Sequence, residues 1–278
     1  MSQNAPGLEL SLPARTVKPR DSGLSNLVDN GYGIAEMEDK LSWCHPFIDI
    51  VKFGWASAYI SSNLTQKVEL VRRYDIRPCP GGMMFELCWQ QNKIEDYAVW
   101  LADNGFDLVE VSNGSLNIAE SDKRSMVEFF AGRGFTVLAE VGSKDVNLVT
   151  PPEDWVSFVK ADLEAGAWKV ILEGRADASA GIYQNDGTLQ EGIIEAVLDA
   201  VAPEQLIFEA PHKRQMTWFI RRLGSNVNIG NVPLGEVLNL ETLRLGLRGD
   251  TVADFHASGE CRFAMGDATR ASQAGGRG

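Results

Sequence analysis

The sequence predicts an α/β fold, a single-domain (β/α)8 TIM barrel, on three observations. Short apolar runs recur that each end in a glutamate, these glutamates stand about one βα unit apart, and the segments between them carry helical periodicity closed by glycine. The 278 residues match the length of one such barrel, and a hydrophobic content of 44% supplies a core without metal or disulfide staples.

The first strand is read at Leu24 to Val28 and the second at Ile48 to Phe53. The glutamate-ended runs follow: Met83-Met84-Phe85-Glu86, Leu108-Val109-Glu110, Val137-Leu138-Ala139-Glu140, Val170-Ile171-Leu172-Glu173 and Leu206-Ile207-Phe208-Glu209. Their glutamates are 24, 30, 33 and 36 residues apart, room for a strand, a loop, a helix and a return. Val227 to Ile229 completes eight strands. Between them, Ile94, Ala98, Leu101 and Ala102 precede Gly105; Met126, Phe129 and Phe130 precede Gly132 and Gly134; Trp155, Phe158, Val159 and Leu163 precede Gly166. Apolar residues three and four apart make one helix face, and glycine just past a helix end accepts the left-handed conformation found there. Pro151-Pro152-Glu153-Asp154 has the proline and acids of a helix start. The rival, a doubly wound open sheet, usually carries a Gly-rich loop after its first strand, and Gly31-Tyr32-Gly33-Ile34-Ala35-Glu36 lacks the third glycine. The catalytic domain is placed at 18–262, between tails at 1–17 and 263–278.

Lys+Arg 26 against Asp+Glu 38 gives a net charge of -12, which repels a nucleic-acid backbone or an anionic membrane, so neither is an expected partner. Cys44, Cys79, Cys88 and Cys261 form no CxxC pair, and the N-terminus lacks the apolar stretch of a secretory signal. A cytoplasmic protein with free thiols and no zinc is expected.

In a parallel barrel, chemistry sits at the C-terminal strand ends, where the repeated glutamates fall. Any one of them reads first as a strand-end ion-pair partner of a neighbouring Lys or Arg. Five together need a divalent cation or several basic groups to offset their repulsion, and their hard oxygens suit Mg²⁺, with a minority binding metal. Lys52, Lys144, Arg175 and Lys213 lie at or shortly after strand ends. Each is either an ion-pair partner or a group for anion binding and proton donation. Asn226-Val227-Asn228-Ile229-Gly230-Asn231-Val232-Pro233 and the following Leu-rich helix with Arg244 and Arg248 lie where such barrels often hold phosphate, although Gly230 and Pro233 also read as turn residues. Of His45, His212 and His256 only His212 is well placed, and no nucleophile set accompanies it.

An ordered set of segments resembles the phosphosulfolactate synthase family: Lys18-Pro19-Arg20, Val51-Lys52-Phe53-Gly54-Trp55, Gly81-Gly82 with Phe85-Glu86, Glu110-Val111-Ser112-Asn113-Gly114, Glu140-Val141-Gly142, Glu173-Gly174-Arg175, Phe208-Glu209-Ala210-Pro211, Asn226 to Asn231, and Glu241 to Thr251. The resemblance implies a Mg²⁺-dependent lyase that adds sulfite to phosphoenolpyruvate, giving (2R)-3-phosphosulfolactate, the entry step to coenzyme M. It implies Lys144 as the acid, with Lys52 beside it in catalysis. Arg175, Lys213, Ser112, Asn228, Gly230, Asn231 and Arg248 are then expected to bind substrate, and Glu86, Glu140, Glu173 and Glu209 the metal. It further implies a homo-oligomer, with a trimer as one form. Asn113, Ser143, Ala176 and His212 depart from the family's usual residues, which keeps open another nucleophile on the same fold. Plant heat-stress proteins share the resemblance, which keeps open a non-catalytic role.

Overall fold

The computed structural model describes residues 10–116, 118–144, 150–175 and 180–257. Among them eight strands run in chain order: β1 (Ser25–Asp29), β2 (Ile50–Phe53), β3 (Arg77–Cys79), β4 (Leu108–Val111), β5 (Thr136–Val141), β6 (Lys169–Leu172), β7 (Leu206–Glu209) and β8 (Ile229–Pro233). The helices among and after them are α1 (Ile34–Cys44), α2 (Ser57–Ile60), α3 (Leu64–Arg73), α4 (Gly82–Gln90), α5 (Ile94–Asp103), α6 (Glu120–Gly132), α7 (Pro152–Glu164), α8 (Glu191–Ala200), α9 (Lys213–Leu223), α10 (Val237–Arg244) and α11 (Val252–Ala257). None of the described helices is long and apolar enough to cross a membrane. The strands pair in parallel in the order β3-β2-β1-β8-β7-β6-β5-β4, so β8 returns to β1 and the sheet curls into the expected (β/α)8 barrel.

The barrel has a seam between β3 and β4, and the sequence explains it. Arg77 donates its N–H to Asp49 on the β2 side at 2.9 Å. Alternate residues of a strand donate to opposite sides, so positions 78 and 80 should serve β4. Both are proline and have no N–H to give. These prolines also hide the strand: the expected third strand at Met83–Glu86 lies inside α4 instead. Gly81 at φ +78° turns the chain into that helix, and the Met-Met-Phe-Glu-Leu that follows has good helix propensity. The eighth strand begins two residues later than its apolar start. Val227 is drawn instead to the closed end, where its carbonyl accepts Arg244 Nη1 at 2.6 Å.

Period-two alternation builds the interior. Ile50, Cys79, Leu108, Leu138, Ile171 and Ile207 point inward and form a fully buried apolar layer. Two residues further along the same strands come Lys52, Glu110, Glu140, Glu173 and Glu209. The apolar layer is therefore a floor, and a charged layer stands on it at the C-terminal mouth.

The opposite end is closed by side chains from before β1. Arg15 pairs with Glu241 at 2.9 Å, Arg20 with Asp49 at 2.8 Å, and the Lys18 ammonium donates to the Ile48 carbonyl at 2.7 Å. The buried Arg244 guanidinium gathers the carbonyls of Leu24, Ser225 and Val227. Arg15 thus binds the barrel from upstream of residue 18, and residues 263–278 lie outside those described.

Candidate active site

The mouth encloses a cavity of about 840 Å³ whose lining includes Lys52, Glu110, Glu140, Lys144, Glu173, Arg175, Glu209 and Asn231. Two ammonium groups divide its carboxylates. Lys52, only 7% exposed, places Nζ 3.2 Å from Glu209 Oε1 and 3.3 Å from Glu110 Oε2. Lys144, on the segment after β5, places Nζ 2.8 Å from Glu140 Oε1 and 3.0 Å from Glu173 Oε2.

Backbone donors fix the carboxylates. The Gly82 N–H donates to Glu110 Oε1 at 2.7 Å, and the Gly174 N–H to Glu209 Oε2 at 3.0 Å. Asn231 Nδ2 also reaches Glu209 Oε2, at 3.1 Å, and the Arg175 N–H donates to Glu173 Oε1. Trp55, Arg175 and Asn231 all line the cavity with left-handed backbone, φ +54°, +53° and +56°. Non-glycine residues hold that conformation only where surrounding contacts impose it, and it gathers at functional sites. Beneath Glu140, the wholly buried Lys123 of α6 donates to its carbonyl at 3.1 Å and pairs with Asp162 of α7 at 2.9 Å, pinning the end of β5.

Burial and charge pull the titrations apart. Desolvation alone would lower the Lys52 ammonium, but Glu110 and Glu209, with help from Glu140 and Glu173, hold it well above the usual lysine range. Lys144 is likewise held up against burial, by Glu140 and Glu173. Burial raises Glu173 well above the carboxylate range, and the charges of Glu140 and Glu209 add to the effect. Glu140 faces the same burial, yet Lys144 and Glu173 bring it down to about 2. Burial also raises Glu110, against the pull of Lys52. Glu140 and Glu173 are thus pushed in opposite directions, Glu140 down and Glu173 up.

Oxygens of Glu140, Glu173 and Glu209 lie within 4.8 Å of one another, the three-carboxylate group fit for a metal among the described residues. These three carboxylates would hold a small divalent cation that takes hard oxygen ligands. Glu173 Oε2 is buried, with no hydrogen bond directed at it although Lys144 Nζ is near. An all-oxygen donor set fits a hard divalent cation.

The other residues expected at the site are placed as follows. Glu86 rides on α4, outside this group, with its carboxylate held by Ser112 and two backbone N–H groups. Ser112 is fully buried against it. Gly230 pairs with Glu209 in the ladder, and a Cβ there would sit 2.8 Å from Ile207 Cγ2, so it fills a tight place in the wall. Three of the expected substrate residues lie away from the mouth. Asn228 spends its amide on the Leu24 N–H and the Leu206 carbonyl at the closed end, because β8 starts one residue later. Lys213 and Arg248 both turn to Asp250 on the outside, at 3.1 and 3.6 Å. His212 caps α9, and Asn113 donates to Glu120 Oε1 at 2.7 Å. Neither lines the cavity, and Ala176 lies outside the described residues. Glu110, one of the five strand-end glutamates and left out of the expected metal set, pairs with Lys52 at the mouth, where its spacing of two from the inward Leu108 puts it.

The family model for (2R)-phospho-3-sulfolactate synthase matches residues 13–250. A phosphosulfolactate synthase of Bacillus subtilis is 38% identical over 245 residues, spanning 87% of this chain and 97% of the relative. One from Methanothermobacter thermautotrophicus is 38% identical, spanning 86% and 95%. The Arabidopsis thaliana protein HEAT-STRESS-ASSOCIATED 32 is 23% identical, spanning 83% of this chain and 88% of its own. Among solved structures, 3-hexulose-6-phosphate synthase from Salmonella typhimurium superposes with a TM-score of 0.53 at 15% identity, covering 79% of this chain and 97% of that one, a likeness of fold.

Proposed function

The chain belongs to the (2R)-phospho-3-sulfolactate synthase family, and from that premise we propose that its barrel mouth adds sulfite to phosphoenolpyruvate with Mg²⁺ as cofactor, the entry step to coenzyme M. The observation that carries this reading is the pair of ammonium groups set among four buried carboxylates at the mouth. A protein of net charge -12 that takes two anionic substrates needs such a local basic centre.

In the addition, the sulfur lone pair forms a bond to C3 of the enol phosphate, the C2–C3 π pair moves toward the substrate carboxylate, and a proton closes C2. The phosphate ester stays intact, so there is no leaving group. Mg²⁺, held by Glu140, Glu173 and Glu209, would supply positive charge where that carboxylate gains electron density. Lys144 holds the proton for C2: its Nζ faces the cavity, and Glu140 and Glu173 keep it charged against burial. Lys52, wedged between Glu110 and Glu209, stays charged and fixed, and it serves the developing negative charge by position. Arg175 offers a guanidinium to an anionic group at the rim. Asn113 and His212, two of the departures from the family's residues, are not among the residues that line the cavity.

The experiment is ³¹P NMR of the protein with phosphoenolpyruvate and Mg²⁺, with and without sulfite. A new phosphate-ester resonance is expected only with sulfite, and EDTA should abolish it. No resonance from folded protein would overturn the synthase reading and favour a non-catalytic role. A resonance with another nucleophile but not sulfite would favour a different addition.

A further inference from the structure

Glu86 is fully buried on α4, and the mouth's three-carboxylate group does not include it. Its Oε1 accepts the Ser112 hydroxyl at 2.5 Å, while Oε2 accepts the N–H of Leu116 at 2.6 Å and of Ser115 at 3.1 Å. All three donors belong to the segment between β4 and α6, which α4 thereby clasps from the side. The same segment carries Gly114, whose carbonyl accepts the Lys144 N–H at 2.9 Å. A Cβ on Gly114 would stand 3.1 Å from the Gly142 carbonyl and 3.2 Å from Lys144 Nζ, so this backbone is the wall against which Lys144 rests. A carboxylate that receives three directed donors has its oxygens engaged, and it acts as an anchor in place of a missing turn of regular structure.

We propose that Glu86 is a positioning residue: through Ser112, Ser115 and Leu116 it holds Gly114 in place, and Gly114 in turn holds Lys144. This replaces the metal-ligand role that family resemblance assigns to it. The kinetic part rests on the proposed sulfite addition; the rest does not.

The test uses Glu86→Gln, which puts an amide NH₂ against N–H donors, and Ser112→Ala, which removes one donor and perturbs folding less. Three quantities are read on the full chain. Mn²⁺ affinity of the EDTA-treated protein, by electron paramagnetic resonance, is expected within threefold of wild type for both variants; a tenfold loss would make Glu86 a ligand and overturn the proposal. Reductive methylation of Lys144, followed by peptide mass spectrometry, is expected at least threefold faster in both variants; an unchanged rate would overturn it. Sulfite-dependent kcat is expected to fall at least tenfold in Glu86→Gln with KM within threefold; unchanged kcat alongside faster methylation would mark a merely structural contact and also overturn it. If the wild type shows no sulfite-dependent turnover, the proposed function alone falls, and cation affinity with Lys144 reactivity still decides the role of Glu86.

Discussion

Replacing Lys52 with methionine should destabilise the protein in a pH-dependent way. The ammonium lies 3.2 Å from Glu209 and 3.3 Å from Glu110, and its side chain is 8% exposed. At an effective dielectric constant of about 20, each contact is worth about 5 kcal/mol of Coulomb energy. Removing the buried cation also removes its own desolvation cost, so the net loss on breaking such a pair is roughly 3–5 kcal/mol. For a chain of this size that corresponds to a fall in Tm of roughly 6–20 °C. Glu110 is already raised by burial, and without Lys52 it loses the cation that opposes that rise, so its folded-state pKa moves further above the unfolded value of about 4.3. A carboxylate raised in this way costs nothing below its unfolded pKa and costs progressively more as pH rises toward its folded one. Urea denaturation of EDTA-treated wild type and variant should therefore show a smaller deficit at pH 5 than at pH 8. A deficit under about 1 kcal/mol at pH 8, or one independent of pH, would refute the reasoning.

Glu173→Gln should weaken Mn²⁺ binding at least tenfold, measured by titration calorimetry, because it removes a member of the three-carboxylate group. In the wild type, cation affinity should rise with pH, since burial beside Glu140 and Glu209 raises Glu173 and its proton must leave before it can ligate. Gly142→Ala should destabilise by roughly 2–5 kcal/mol on denaturation, combining left-handed strain with overpacking: the residue sits at φ +125° and a Cβ would stand 2.5 Å from Trp155. Cys44 and Cys79, whose thiols burial pushes up to about 11 and about 12, should resist a disulfide reagent at pH 8 until the protein unfolds, as mapped by mass spectrometry.

Most of the barrel was legible because six of its apolar strand runs are short, buried on both faces and spaced by one helix. The third strand was not, because Arg77-Pro78-Cys79-Pro80 looks like a turn and its prolines matter only at a seam that pairing makes visible. The charged layer was legible in outline: glutamates that end strands do meet at the mouth when they stand two residues after an inward apolar side chain. Glu86 ends a similar apolar run, but the run is a helix, so its carboxylate faces a neighbouring loop. Lys213 and Asn228 sit near strand ends in sequence, yet which end of the barrel and which side they occupy depends on partners far along the chain, Asp250 and Leu24, while Arg248, beyond the helix after β8, turns to Asp250 and Asn239. The Lys18-Pro19-Arg20 motif likewise belongs to the closed end, where such residues serve stability.

The most direct measurement compares wild type with Lys144→Ala in sulfite-dependent consumption of phosphoenolpyruvate, each with Mg²⁺ and each shown folded by its thermal transition. Wild type is expected to turn over, and Lys144→Ala to lose activity by about 10²–10⁴-fold while still unfolding cooperatively, at a lowered temperature because Glu140 and Glu173 lose their cation. A variant that retains wild-type turnover, or a folded wild type with none, would contradict the assignment of this mouth as a sulfite-adding site with Lys144 as its acid.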